Sequence, residues 1–174
     1  SKMWLSRCTT VQKWPITLHD FSKAFDKVPH MRLLHKLDYY GVRNSTLGWI
    51  QAFLTRRSQQ VVLEGAHSSP ADVLSGVPQG TVLGPLLFLA FINDLPDVVR
   101  SSSTRLFADD SLLFREVCNV QDQALLQADL DRLAEWENTW QMSFNASKCN
   151  TIRFSPSRRY PLLTSHYSLQ GQIL

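Results

Sequence analysis

Two adjacent carboxylates, those of Asp109 and Asp110, stand between short apolar runs in the segment 105–114. Apolar runs of this length, broken by Asp and Ser, predict a β-hairpin with the aspartates at its tip. Two unit negative charges about 5 Å apart repel by roughly 1 kcal/mol in water, and by about 3 kcal/mol at an effective dielectric constant near 20. A divalent cation would convert this repulsion into binding energy. Aspartates that only form a turn would need no ligand, so residues elsewhere in the chain must distinguish the two interpretations.

The length and composition of the chain are those of a globular protein. Its 174 residues, 44% of them hydrophobic, suffice for one domain with a sizeable core. The formal net charge of +3 permits a polyanionic partner. The longest apolar run, from Val82 to Ile92, is interrupted by Gly84 and Pro85. It is shorter than the roughly 20 residues that a membrane-spanning helix needs, so we expect no membrane segment.

The N-terminal residues carry little information about structure. Residues 1–14 show no periodicity and form a segment without a predicted element. The chain does not open with methionine and lacks the apolar core of a signal peptide, so we expect a piece of a longer, intracellular protein. Three cysteines without metal-like spacing are expected to be reduced thiols, namely Cys8, Cys118 and Cys149.

Hydrophobic periodicity and turn residues predict a mixed order of strands and helices. A strand at Ile16–Phe21 carries Asp20 near its C-terminal end, where α/β sites collect ligands. The apolar helix predicted at 86–94 should be buried on all sides. Asn119 should cap the longest helix, and His30 and His35 are expected to be surface or cap residues rather than ligands. The other predicted elements are helices at 31–40, 46–55 and 120–140, short strands at 59–63 and 73–74, a glycine-rich loop at 75–85, and strands at 151–154 and 167–169.

Without the insertion at residues 31–80, this order is β-α-β-β-α-β, the split βαβ or ferredoxin-like pattern. In that topology we expect the first strand to neighbour the leading strand of the hairpin, with Asp20 facing Asp109. Asp26 is expected to be a turn or cap residue. A third carboxylate aimed at the aspartate pair favours a metal site, because turn formation does not require it. Mg²⁺ prefers oxygen ligands and shares its coordination shell with phosphates, so the predicted chemistry is two-metal phosphoryl transfer.

Three motifs follow one another along the chain: DFSKAFD at 20–26, SGVPQG at 75–80 running into TVLGPLLF, and FADD at 107–110. Their order and spacing closely resemble the palm motifs of reverse transcriptases from non-LTR, LINE-type retrotransposons. The resemblance implies an α+β fold, a ferredoxin-like (split βαβ) polymerase palm over residues 15–174, with a helical and hairpin insertion, incomplete fingers and no thumb. The implied activity is that of an RNA-directed DNA polymerase, which transfers a nucleotide from a dNTP to a primer 3′-hydroxyl on an RNA template.

The resemblance also implies roles for individual residues. Asp20 and Asp109 would bridge two Mg²⁺ ions, for which Mn²⁺ could substitute, and Asp110 would be a supporting ligand. Lys148 would protonate the leaving pyrophosphate as a general acid. Phe25 would pack under the incoming sugar and exclude a 2′-hydroxyl. The remaining substrate contacts would come from Phe21, Gly76, Pro78, Gln79, Gly80, Phe107 and Ala108.

The implied partners are an RNA template, a DNA primer, a dNTP and the remainder of a larger retrotransposon polyprotein. The resemblance implies a location in the nucleus or in a cytoplasmic ribonucleoprotein, and it implies no membrane partner. The 19 residues before Asp20 do not match the family's basic fingers region, so we expect the isolated chain to polymerise poorly or not at all. Two alternatives stay open: an inactive retrotransposon remnant, and a ferredoxin-like nucleic-acid-binding module with basic and aromatic residues on its sheet. Clustered carboxylates count against the second, because they would repel phosphate when no metal is present.

Overall fold

The computed structural model describes residues 14–145, 147–154 and 166–174, without the side chains of residues 14–16, 18–20 and 153. The described residues form two compact units. The first, here called the sheet unit, contains the described residues of segments 1–21, 94–139 and 143–174. The second, here called the helical unit, contains residues 22–93 and 140–142.

Strands and helices follow in nearly the order that the periodicity predicts. The helices are α1 (Ala24–Lys27), α2 (His30–Tyr39), α3 (Asn44–Leu54), α4 (Leu83–Ile92), α5 (Leu95–Val98) and α6 (Val120–Trp140). The strands are β1 (Trp14–Asp20), β2 (Ser58–Gln59), β3 (Val62–Leu63), β4 (Ala66–His67), β5 (Ala71–Asp72), β6 (Ser103–Phe107), β7 (Asp110–Phe114), β8 (Asn150–Phe154), β9 (Ser168–Leu169) and β10 (Gln172–Ile173). The bounds of α6 agree with its sequence prediction, and those of β1, α2, α3, α4, β5, β8 and β9 differ from theirs by at most three residues. The single strand predicted at 59–63 is wrong: the structure has two short strands there, β2 and β3, which pair with β5 and β4. The sequence did not predict α1, α5, β4 or β10.

Four strands of the sheet unit form one sheet in the order β6-β7-β1-β8, and every neighbouring pair is antiparallel. The predicted neighbour of β1 is therefore wrong: β1 pairs with β7, the trailing strand of the hairpin, and not with β6. The reason is strand direction, because β1 and β6 are both antiparallel to β7 and so run the same way. The trailing strand lies between them and forms hydrogen bonds with both.

One face of this sheet is more deeply buried than the other. Along β7 the residues alternate, with Ser111 and Leu113 buried and Asp110 exposed, and Thr17 of β1 is fully buried. The apolar side of α6 is also buried, through Leu126, Leu130, Leu133 and Trp136. Asn119 confirms the predicted cap, because its side-chain oxygen accepts the Asp122 amide hydrogen at 2.9 Å, which satisfies a donor at the helix N-terminus.

The helical unit packs α2 against α3 and α4, and α1 against α4. Helix α4 buries Leu87, Phe88, Phe91 and Ile92. The prediction that α4 is buried on all sides is wrong, because Leu86 and Leu89 are 57% and 46% exposed. Its composition is uniformly apolar, but its helical neighbours in this unit cover only one side.

Two expectations about single residues are also corrected. His30 is buried, 7% exposed, and is not a surface residue. Cys118 is disulfide-bonded in the structure, so the expectation of reduced thiols is wrong for this residue, whereas Cys149 is a free, buried thiol. The sequence could not show the burial of His30, because it depends on residues that only folding brings together. Cys8 lies outside the described residues. Among the described residues, no helix is long and apolar enough to span a membrane.

Candidate functional site

The register of β1 and β7 brings two of the predicted aspartates opposite each other. Asp20, the last residue of β1, is the Cα partner of Asp110, the first residue of β7. Asp109 lies in the two-residue turn between β6 and β7, because Phe107 pairs with Asp110. The expectation that Asp20 faces Asp109 is thus corrected: Asp110 is its direct partner, and Asp109 is adjacent in the turn.

The hairpin turn holds both described carboxylates near the surface. Asp110 is exposed and Asp109 is half-buried. Ala108, the first turn residue, has a φ of 51°, a left-handed conformation that costs a non-glycine residue roughly 1–2 kcal/mol. Tight hairpin turns whose twist matches the flanking strands require such a positive φ, so strand pairing holds Ala108 in a strained conformation.

Within the part of the chain that the structure describes, neither the Asp109 nor the Asp110 carboxylate accepts a hydrogen bond or forms an ion pair. No group of three His, Cys, Asp or Glu side chains could hold a metal ion among the side chains described. The Asp20 side chain is not among them, so the predicted triad stays a prediction.

Other predicted residues of the sheet unit lie at the same end of the sheet. Phe107, the last residue of β6, is 82% exposed. Asn150, the first residue of β8, is the Cα partner of Leu18. Lys148, two residues earlier, is exposed in a turn closed by its own amide, which donates to the Asn145 carbonyl at 2.9 Å. Lys148 therefore lies at the end of the sheet where β1 ends.

Phe21, which also carries a predicted substrate contact, is part of the core of the sheet unit. Its side chain is 3% exposed, and its ring stacks on Phe144 with centroids 4.4 Å apart. The ring of Trp136, a residue of α6, is also near, with its centroid 6.2 Å away. The Phe21 ring therefore offers no surface to a ligand in this structure.

The glycine-rich loop of the helical unit is held against the segment 25–28. The Gly76 amide donates to the Val28 carbonyl at 2.8 Å, and the Val77 amide donates to the Phe25 carbonyl at 2.7 Å. Gly76 has a φ of 91°, and a Cβ atom there would lie 2.7 Å from the Asp26 carbonyl oxygen. Only glycine satisfies both the backbone conformation and the close approach.

Two further side chains bind the carbonyl of Gly76. His30 Nε2 donates to it at 2.8 Å, and Arg57 Nη2 donates at 3.1 Å. The sequence predicted a surface or cap residue at His30 and gave Arg57 no role in the loop. No local pattern signals these contacts, because His30 and Gly76 are 46 residues apart.

Asp26 is the second residue that sequence reasoning undervalued. Its carboxylate Oδ1 accepts a hydrogen bond from Gln79 Nε2 at 3.0 Å, and its carbonyl accepts one from Ser75 Oγ at 2.8 Å. Asp26 and Gln79 line one cavity of about 910 Å³ together with Lys23, Arg57 and Asp72. Asp26 is therefore joined to the glycine-rich loop and is more than a local turn residue.

The remaining predicted residues of the helical unit have simple surroundings. Phe25 is half-buried and stacks on Phe88 of α4, with ring centroids 4.6 Å apart. Pro78 is half-buried beside the same cavity, and Gly80 is exposed with a φ of 76°.

Comparisons with known proteins agree with the motifs. The family model for "Reverse transcriptase (RNA-dependent DNA polymerase)" matches residues 5–165. The chain is 34% identical over 150 residues to the RNA-directed DNA polymerase from mobile element jockey of Drosophila funebris. It is 33% identical over 147 residues to the probable RNA-directed DNA polymerase from transposon X-element of Drosophila melanogaster. These alignments cover 80% and 82% of this chain but 16% of each relative, so the chain spans about a sixth of the length of the curated relatives it matches.

A solved structure supports the same assignment at the level of the fold. The apo telomerase from Candida tropicalis, truncated from its C-terminal domain, superposes with a TM-score of 0.57 at 12% identity. The match covers 87% of this chain and 32% of that chain. The chain belongs to the reverse transcriptase (RNA-dependent DNA polymerase) family, and the non-LTR retrotransposon type that its motifs predict is confirmed.

Proposed function

We propose that this chain is the palm of an RNA-directed DNA polymerase, which transfers a nucleotide from a dNTP to the 3′-hydroxyl of a DNA primer on an RNA template. The observation that carries the proposal is the β1–β7 register, which sets Asp20 opposite Asp110 beside the turn residue Asp109. Residues directly opposite in an antiparallel pair have Cβ atoms about 4.5–5.5 Å apart and share one face of the sheet. That spacing suits carboxylates with a common cation.

The donor set fits a hard divalent cation. Asp20, Asp109 and Asp110 offer only oxygen atoms, which are the ligands that Mg²⁺ and Mn²⁺ prefer. When bound, two such ions would favour ionisation of the primer 3′-hydroxyl and neutralise the charge of the triphosphate. Lys148 lies at the same end of the sheet and is the proposed proton donor to the leaving pyrophosphate.

Contacts with the nucleotide and the template are proposed for the residues that the family resemblance names, each within its own unit. In the helical unit, Phe25 limits the space for a 2′-hydroxyl on the incoming sugar, and Gly76, Pro78, Gln79 and Gly80 support the nucleotide and the template base. In the sheet unit, we propose that the exposed ring of Phe107 and the backbone of Ala108, at the end of β6, contact the substrate.

We also propose that residues 15–174 form a ferredoxin-like palm with residues 31–80 as an insertion. The sheet order β6-β7-β1-β8, antiparallel throughout, supports this topology, since a β-α-β-β-α-β chain places its third strand between its first and second. The parent protein would be a larger retrotransposon polyprotein that meets its RNA inside the cell, in the nucleus or in a cytoplasmic particle. The large unmatched part of the curated relatives supports a longer parent.

Metal binding tests the proposal directly. Isothermal titration calorimetry with Mg²⁺ or Mn²⁺, in the presence of a dNTP, should show binding by the wild-type chain. We expect Asp109→Asn to weaken this binding at least tenfold, because a neutral amide replaces a charged ligand at the site. Asp97→Asn, on an exposed residue of α5, is the matched control and should bind as the wild type does.

The outcomes separate the proposal from its alternatives. Absence of metal binding by a wild-type chain that circular dichroism shows to be folded would indicate an inactive remnant. RNA binding that is equally tight without metal would instead indicate a nucleic-acid-binding module. Primer extension with an RNA template and dNTPs then measures whether the chain catalyses transfer by itself.

A further inference from the structure

We propose that Asp26 is a positioning residue, which fixes the side-chain amide of Gln79 so that its carbonyl oxygen is presented to a hydrogen-bond donor on the incoming nucleotide. This inference rests on the proposed function and deepens it. The sequence predicts only a turn or cap role for Asp26, and the comparisons with known proteins assign it none.

The hydrogen bond between the two side chains has one chemically allowed direction. A carboxylate accepts hydrogen bonds and an amide NH₂ donates them, so the Nε2 end of Gln79 must face Asp26 Oδ1, 3.0 Å away. The amide ends of an unpaired Gln can exchange places by rotation about the last side-chain bond. Asp26 removes this freedom and leaves Oε1 of Gln79 as the acceptor for a ligand.

The backbone of the loop is held independently of this pair. The amides of Gly76 and Val77 donate to carbonyls of the segment 25–28, and Ser75 Oγ donates to the Asp26 carbonyl. His30 and Arg57 both donate to the Gly76 carbonyl. Replacement of the Asp26 carboxylate should therefore change the orientation of the Gln79 amide without moving the loop.

The surroundings of the pair are open to a ligand. Both residues are exposed and line the cavity of about 910 Å³ in the helical unit. Lys23 and Arg57 line the same cavity and supply positive charge suited to a phosphorylated ligand, whereas Asp72 is the second carboxylate of its lining. Within the described part of the chain, Gln79 makes no side-chain hydrogen bond other than that to Asp26.

Three variants test the orientation. Asp26→Asn places an amide opposite the Gln79 amide, so that either end of Gln79 can pair with it. Asp26→Asn combined with Gln79→Glu reverses the pair, because the amide introduced at position 26 would donate to a carboxylate that again presents only acceptors. The double variant also preserves the charge of the pair. Asp72→Asn is the matched control, since it removes one negative charge from the same cavity without a contact to Gln79.

The functional readout is dATP affinity, measured by calorimetry with Mg²⁺ and a primer–template duplex whose primer ends in a dideoxynucleotide, so that no transfer follows binding. We expect Asp26→Asn to weaken dATP binding about fivefold, the effect of one neutral hydrogen bond. The reversed pair should restore affinity to within about twofold of the wild type, and Asp72→Asn should not reproduce the loss.

A second readout does not depend on the nucleotide. In ¹⁵N-correlated NMR spectra, the Gln79 side-chain NH₂ signals, identified by their loss in Gln79→Ala, should shift in Asp26→Asn and not in Asp72→Asn. Unchanged signals in Asp26→Asn would overturn the pairing. If the wild type binds dATP and Asp26→Asn binds it equally well, the positioning role is overturned while the proposed function stands. If the shift is present but the wild type binds no dATP, the pairing stands, and the proposed function fails together with the ligand assigned here.

Discussion

Asp20 and Asp110 are direct partners across the antiparallel pair of β1 and β7, although 90 residues separate them in the chain. The family resemblance gives Asp110 only a supporting role. The register predicts that Asp110→Asn weakens Mn²⁺ binding at least tenfold, as much as Asp109→Asn does, because a neutral amide would replace the carboxylate opposite Asp20. Water-proton relaxation enhancement by Mn²⁺ measures both variants against Asp97→Asn. An Asp110→Asn affinity equal to that of the wild type would contradict this prediction.

Gly76 should tolerate no side chain. Gly76 has a φ of 91°, and an added Cβ atom would lie 2.7 Å from the Asp26 carbonyl oxygen. Because both the backbone conformation and this close contact are unfavourable, we expect Gly76→Ala to lower the free energy of unfolding by more than about 2 kcal/mol. Gly80→Ala is the matched control, because Gly80 also has a positive φ, 76°, but has open space around it. Its cost should be about 1 kcal/mol. Urea unfolding of both variants measures the difference, and equal losses would show that the close approach is not important.

Asp129 should be required for the stability of the sheet unit. Its side chain is fully buried, and it accepts hydrogen bonds from the amides of Arg100 and Ser101, both at 3.0 Å, and from Arg132 at 2.5 Å. Asp129→Asn would turn an amide NH₂ toward one of these donors, at a cost of about 3 kcal/mol. Asp131→Asn, on the exposed side of α6, should cost less than about 0.5 kcal/mol. Thermal unfolding that is unchanged in Asp129→Asn would refute this role.

Acid should destabilise the sheet unit through Asp129. Burial raises the pKa of Asp129, but the hydrogen bonds from the amides of Arg100 and Ser101 and from Arg132 outweigh burial and hold the pKa below its usual value of 3.8. The stability contributed by a carboxyl with a lowered folded-state pKa is present above the unfolded-state pKa and is lost as pH falls through the folded-state pKa. The stability difference between wild type and Asp129→Asn should therefore shrink as pH falls below about 4.

Glu137 should have the opposite effect on the pH dependence of stability, because its carboxyl group stabilises the sheet unit at low pH rather than at high pH. Burial raises its pKa above 4.5, and the hydrogen bonds from Gln170 and Phe144 offset this only in part. Its Oε1 accepts those two hydrogen bonds, whereas the buried Oε2 has no hydrogen-bond partner among the described residues. The stability contributed by this carboxyl is complete below the unfolded-state pKa and is lost as pH rises through the raised folded-state value. Urea unfolding should therefore show Glu137→Gln gaining stability relative to the wild type between pH 4 and pH 7, and a constant difference would contradict the raised pKa.

The sequence by itself determined the local elements and the family. The long helix at 120–140 and its Asn119 cap follow from apolar periodicity and from a side chain that bonds an amide three residues away. The hairpin at the aspartate pair follows from turn chemistry between two short apolar runs. These features depend on neighbours within a few residues, which is why a single chain reveals them.

Only the tertiary structure decided which distant residues meet. In the structure, β1 pairs with the trailing strand of the hairpin, and Asp20 is the Cα partner of Asp110. Gln79 donates a hydrogen bond to Asp26, which lies 53 residues earlier in the chain. His30 is also buried and donates a hydrogen bond to the Gly76 carbonyl, although the sequence predicted a surface or cap residue at this position. Such contacts are selected by the free energy of the whole fold, in which strand direction, burial and satisfaction of polar groups must all agree. No local pattern contains that information.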